Sequence, residues 1–145
     1  MTIKKIEQWH QKARPNPDAK AFNIQLGCHA EEFVEMLELL DAADHDDAMT
    51  IHLAELAVKA LSRRLKMGRL AVVVADRKEF LDSLADQVVT AIGVGHCAGM
   101  QTAEACERVN DSNWSKFVDG EPVFNEAGKI AKGPDYAELN LEGLY

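Results

Sequence analysis

The sequence is 145 residues long, 47% hydrophobic and 28% charged, with a net charge of −8. That size and balance suit one soluble globular domain with a single core and argue against extended disorder. The acidic surplus repels phosphate backbones and argues against a nucleic-acid partner, while still allowing a small phosphorylated ligand whose charge a metal ion offsets.

No apolar run approaches the about 18 residues of a membrane span, and the polar opening segment does not read as a signal peptide. The cysteines, Cys28, Cys97 and Cys106, form neither a CxxC pair nor a full set of disulfides. They read as free thiols in a reducing compartment. The expectation is a cytoplasmic protein that engages neither membrane nor nucleic acid.

In chain order, residues 3–12 form a short amphipathic helix with Ile3, Ile6, Trp9 and His10 at helical spacing. Pro15-Asn16-Pro17 ends it. A second helix is expected over 25–43, with Leu26, Phe33, Met36, Leu37 and Leu40 on one stripe. The cluster Asp41, Asp44, Asp46 and Asp47 breaks it and caps a third helix over 52–67, apolar at Leu53, Leu56, Ala57, Ala60 and Leu61. Gly68 stops that helix.

The β-rich run 70–74 is short and has no partner strand, so it reads as an extended linker. Asp76 caps a long helix to about Met100, apolar at Phe80, Leu81, Leu84, Val88, Val89 and Ile92, and Thr102 caps a last helix ending near Asp111. Beyond Asn113, glycines and prolines alternate with Trp114, Phe117, Phe124 and Tyr136, the composition of a wrapping tail anchored by aromatics. The expected fold is all-α: an antiparallel four-helix bundle with a short N-terminal helix and an irregular C-terminal tail. It is one domain over 1–145, with its core at 20–112 and its tail at 113–145.

Acidic residues recur at helical spacing in two places. In Glu31-Glu32-Phe33-Val34-Glu35, Glu32 and Glu35 lie about 60° apart around the helix and can reach one point, with Glu31 at the edge and Glu38 one turn on. In Glu79-Phe80-Leu81-Asp82-Ser83-Leu84-Ala85-Asp86, positions 79, 82 and 86 share a face beside Leu81, Leu84 and Val88. Carboxylate rows beside apolar residues are costly unless something cancels their charge. Hard oxygen donors at this spacing suit Mg²⁺, which takes phosphate oxygens and water as its remaining ligands. A solvated helix face is the plainer reading of either row.

Together with the tail, these rows resemble a known family. Asn113-Trp114-Ser115-Lys116-Phe117, Asp119-Gly120, Gly128-Lys129 and Lys132-Gly133-Pro134-Asp135-Tyr136 follow the acidic motifs. Over roughly residues 20–139 the chain resembles the all-α, MazG-like nucleotide pyrophosphohydrolases, in particular their phosphoribosyl-ATP pyrophosphohydrolase-like branch, with EExxE, ExxD and an NxSKF…GK…KGPxY ending. The resemblance implies a Mg²⁺-dependent four-helix enzyme, with Mn²⁺ as an alternative ion. It would act as a homodimer or homotetramer that hydrolyses nucleoside triphosphates to monophosphate and pyrophosphate.

It also implies roles. Glu32 and Glu35 are the first pair of metal ligands, Glu31 a further ligand or water-orienting base, and Asp86 the last acid of the second motif. Ser83 stands where many relatives have Glu, so Asp82 or Glu79 takes that place. Asn113 and Lys116 contact substrate, and Lys129 and Lys132 close over it. Phosphoribosyl-ATP as the substrate, or a non-catalytic nucleotide- or partner-binding bundle, are the alternatives.

Two other signals carry less. The GxGxxxG series from Gly93 to Gly99 lies in a helical pattern with no preceding strand, so it reads as close helix packing. The five histidines show no zinc spacing.

Overall fold

The structure, a computed structural model, describes residues 2–126 and 128–145. It contains five helices: α1 (Thr2–Ala13), α2 (Ala19–Leu37), α3 (His45–Lys66), α4 (Arg77–Cys97) and α5 (Thr102–Trp114). Strand pairing among the described residues is confined to two isolated bridges in the tail, Val118 with Glu121 and Phe124 with Ile130. No helix among the described residues is long and apolar enough to cross a membrane.

Capping explains where helix boundaries depart from those expected. α2 begins well before residue 25 because Asp18 Oδ1 accepts the Ala21 amide at 2.7 Å, and it ends at Leu37 rather than Ala43. α3 begins at His45, not His52, because Asp44 accepts the amides of Asp46 and Asp47, each at 2.9 Å. One carboxylate thus satisfies two of the first turn's orphan donors, and a polar segment becomes helical without apolar periodicity. Asp76 caps α4 as expected. Thr102 is the first residue of α5 instead of its cap, the cap position falling to Gln101, which makes no side-chain capping bond.

The chain divides into two compact units, 16–75 and 1–15 with 76–145, so the expected core range runs through both. In the first, α2 packs along α3. Gly27 is a point of close approach: a Cβ there would lie 2.7 Å from Lys66 Cγ and 3.0 Å from the Ser62 carbonyl oxygen. The Ser62 hydroxyl donates to the Gly27 carbonyl at 2.7 Å across this seam. Leu65, Val34, Leu37 and Ala21 are buried along it. Asn23 ties the extended segment 70–74 to α2, its Oδ1 accepting the Val72 amide at 2.9 Å while its Nδ2 donates to Ala19 O.

In the second unit α1 and α4 each contact α5. Trp9 Nε1 donates to the Asn113 carbonyl at 2.9 Å, and its ring stacks on buried Phe117 with centroids 5.8 Å apart. Arg14 donates to Gly128 O and lies over the Phe124 ring. Trp9 and Arg14 of the N-terminal segment thus each contact the tail. Of the GxGxxxG series only Gly95 serves close packing, against Thr102; a Cβ on Gly93 would meet open space, and Gly99 takes φ 77° beyond the end of α4.

Several residues expected in the core are exposed. On α3 these are Leu53, Leu56 and Leu61; on α4, Leu81, Val88, Val89 and Ile92. Phe33, Met36 and Leu40 are likewise exposed. A helix packed along one seam buries one stripe, and apolar residues off that stripe stay in water unless another surface covers them.

The Gly27 seam gives a direct test. Gly27→Val should lower the unfolding free energy by about 1–3 kcal/mol through overpacking. Gly93→Ala should leave it unchanged or raise it by about 1 kcal/mol through helix propensity. Urea unfolding of both variants checks this, and equal effects would contradict the close approach at Gly27.

Candidate functional site

On α2 the buried seam positions Val34 and Leu37 flank an edge carrying Glu31, Glu35 and Glu38, spaced i, i+4 and i+7. On α3 the facing edge carries Lys59, Arg63 and Lys66 at the same spacing. These six side chains line one cavity of about 390 Å³, with Val34 and Met67 as apolar lining. That volume lies in the range of small-molecule sites.

The charges on the two edges are matched. Lys66 Nζ donates to Glu31 Oε1 at 2.5 Å, with both side chains half-buried, and Lys59 Nζ donates to Glu38 Oε1 at 3.0 Å. The hydrogen bond to Glu38, and then its charge, hold the Lys59 ammonium above its ordinary pKa. Glu35 and Arg63 complete the lining. Three carboxylates against three cations sum to zero locally, so any added cation must displace a lysine or arrive with an anion.

The expected acids are distributed unevenly around this cavity. Glu31 and Glu35 line it, whereas Glu32 is exposed and lies outside the lining. Glu79, Asp82 and Asp86 are exposed on α4, in the other unit from α2, and Glu79 pairs with Lys78 at 2.8 Å. Among the described residues no group of three or more His, Cys, Asp or Glu side chains is arranged to hold a metal ion.

Of the residues expected to contact substrate, Asn113 and Lys116 are brought together, Lys116 Nζ donating to Asn113 Oδ1 at 2.6 Å. Lys132 lies 4.4 Å from the Tyr136 ring centroid. Lys129 sits in a turn closed by Asn125, whose Oδ1 accepts its amide at 3.0 Å.

Lys59, Arg63 and Lys66 were not anticipated as site residues. Their signal was present as a basic row at i, i+4 and i+7, but a basic row alone reads as a solvated helix face. Only the pairing of α2 with α3 gives it a carboxylate partner.

If the Glu31–Lys66 bond is a working pair, a double-mutant cycle with Glu31→Gln and Lys66→Met should return a coupling of about 0.5–1 kcal/mol that weakens in high salt. Zero coupling at low salt would contradict it. A scan of protein-family models finds no match to the chain, and searches among curated proteins and solved structures return none.

Proposed function

We propose that this chain is a Mg²⁺-dependent nucleotide pyrophosphohydrolase of the MazG-like kind, releasing pyrophosphate and a nucleoside monophosphate from nucleoside triphosphates or related nucleotides. The observation that carries this reading is the shared cavity between α2 and α3, where Glu31, Glu35 and Glu38 oppose Lys59, Arg63 and Lys66. A metal–polyphosphate complex presents both signs of charge, and this cavity offers an acid edge and a basic edge to meet them.

Glu31 and Glu35 on the acid edge are the donors this reading calls for. Mg²⁺ bound with nucleotides uses one or two carboxylates and fills its shell with water and phosphate oxygens, so a cluster of three acids is not required. Glu35 and Glu31 would hold it, with Glu32 beside them on α2 as the further ligand the family resemblance implies. When bound, the ion supplies charge neutralisation and Lewis acidity at phosphoryl oxygens.

The chain's own residues account for the rest of the proposal. Lys66, released from Glu31, and Arg63 pair with phosphate oxygens, Arg63 through its planar fork. A glutamate on the acid edge orients the attacking water and accepts its proton.

The exposed apolar residues of α3 and α4 support assembly into a homodimer or homotetramer, with a four-helix bundle completed by packing those stripes. The free cysteines suit a cytoplasmic setting. A second reading, a non-catalytic nucleotide- or partner-binding bundle, is favoured by one observation: Glu31 and Glu38 are already neutralised by lysines, so their row needs no metal.

Pyrophosphate release from a panel of canonical and modified nucleoside triphosphates and phosphoribosyl-ATP, with Mg²⁺, Mn²⁺ or EDTA, separates the two. The proposal expects metal-dependent release that Glu35→Gln lowers at least about a hundredfold, with helix content unchanged. Silence across the panel by folded protein supports the non-catalytic bundle, and full activity in Glu35→Gln would remove Glu35 from the site. Sedimentation should show a species of two or four chains that Leu81→Glu with Val88→Glu shifts toward the monomer; a monomeric parent protein would contradict the assembly.

A further inference from the structure

The N-terminal half of α2, the end of α3 and the segment that follows enclose a second cavity of about 460 Å³, lined by Asn23, Ile24, Leu65, Met67, Leu70 and Ala71. It lies wholly within the unit 16–75. Lys66 and Met67 line both this cavity and the charged one, so the two adjoin. Ile24, Glu31 and Glu35 are spaced i, i+7 and i+11 and share one flank of α2, which sets the cavities in line along the helix. The helix rises about 16 Å from residue 24 to residue 35, room for one extended ligand to reach into both. Gly27 lies between them: lacking a Cβ, it lets the Lys66 stem pass close to α2 while the Lys66 ammonium bonds Glu31.

The chemistry of this second cavity is different. Its walls are mostly aliphatic, and among the described residues no carboxylate lines it. Asn23, only 7% exposed, donates to the Ala19 carbonyl and accepts the Val72 amide, which fixes the segment 70–74 against α2. Ala71 adjoins that anchor, and among the described residues neither its amide nor its carbonyl makes a hydrogen bond. In an extended segment the N–H and C=O of one residue point to the same side, so Ala71 offers a donor beside an acceptor. A planar heterocycle has apolar faces for such walls and a polar edge for such a pair. An aliphatic ligand would leave the pair unmet, and an ionic one would lose its hydration against Ile24, Leu65 and Leu70.

We propose that this cavity holds the base of the nucleotide whose phosphates occupy the charged cavity, and that it accepts any of the common bases. The inference deepens the nucleotide reading and rests on it for the phosphates. Selectivity is low because each base carries a donor beside an acceptor on its pairing edge, so the Ala71 backbone can bond any of them. Aliphatic walls discriminate weakly between rings of similar size. Lys66 stands at the boundary, between base and phosphates.

The test follows the backbone amides of the full chain by NMR in EDTA while adenosine, guanosine, cytidine and uridine are titrated separately. Each should shift amides within 20–24 and 67–71, with dissociation constants inside about tenfold of one another. Ribose 5-phosphate, which has no base, should leave those amides in place. Ile24→Trp, which fills the cavity, should weaken nucleoside binding at least about tenfold with helix content unchanged. Should that variant unfold, Ala71→Pro decides: it deletes the amide within an already extended segment and should weaken binding severalfold. Amides there that ignore all four nucleosides, or cyclohexanol binding as tightly as adenosine, would overturn the base site. A preference for one base beyond about a hundredfold would overturn its tolerance.

Because nucleosides carry no phosphate and the readout needs no turnover, the two proposals fail separately. Nucleoside binding here in a protein that releases no pyrophosphate from any nucleotide supports the base site and removes the hydrolase reading. Pyrophosphate release by a protein whose amides here ignore nucleosides removes the base site alone.

Discussion

A row of carboxylates beside a buried seam must be neutralised, and that constraint governs the α2–α3 unit. Val34 and Leu37 hold α2 against α3 and Leu65 is almost fully buried there, so Glu31, Glu35 and Glu38 stand at the edge of an apolar contact. α3 answers with Lys59, Arg63 and Lys66 at matching intervals. The close approach at Gly27 brings the rows within reach, and the Ser62–Gly27 hydrogen bond fixes their register. Electrostatics and packing therefore specify one alignment of the two helices, and the cavity follows from it.

The same arrangement bears on chemistry. A neutral, preorganised set of ion pairs costs less to hold than a bare acid cluster, and under the proposed function it exchanges partners when a metal–polyphosphate complex arrives.

Much of the helical content was legible because its signals are local. Asp76 as a cap, Gly68 as a stop and the aromatic-rich irregular tail all act within a few residues of themselves. The first two turns of α3 lie outside the expected helix because their opening residues His45, Asp46 and Asp47 are polar and their start depends on Asp44. Glu32 and Glu35 were paired from angular spacing alone. The cavity lining holds Glu31 and Glu35, since which flank of a helix faces its neighbour is set by Val34, Leu37 and Gly27 together. The partnerships of Lys66 with Glu31, and of Trp9 with Asn113, span 35 and 104 residues, and nothing in either segment announces the other. The apolar stripes of α3 and α4 were legible as stripes, but their exposure depends on what packs against them, which is a property of tertiary or quaternary structure.

Under the proposed function, the acid edge of the α2–α3 cavity takes a divalent ion together with a nucleotide. Mn²⁺ binding, followed by electron paramagnetic resonance with and without a non-hydrolysable nucleoside triphosphate analogue, tests it most directly. The account predicts that the analogue promotes Mn²⁺ binding and that Glu35→Gln weakens it at least about tenfold while the protein stays folded. Mn²⁺ that remains free in the presence of the analogue, or binds equally well to Glu35→Gln, would contradict it.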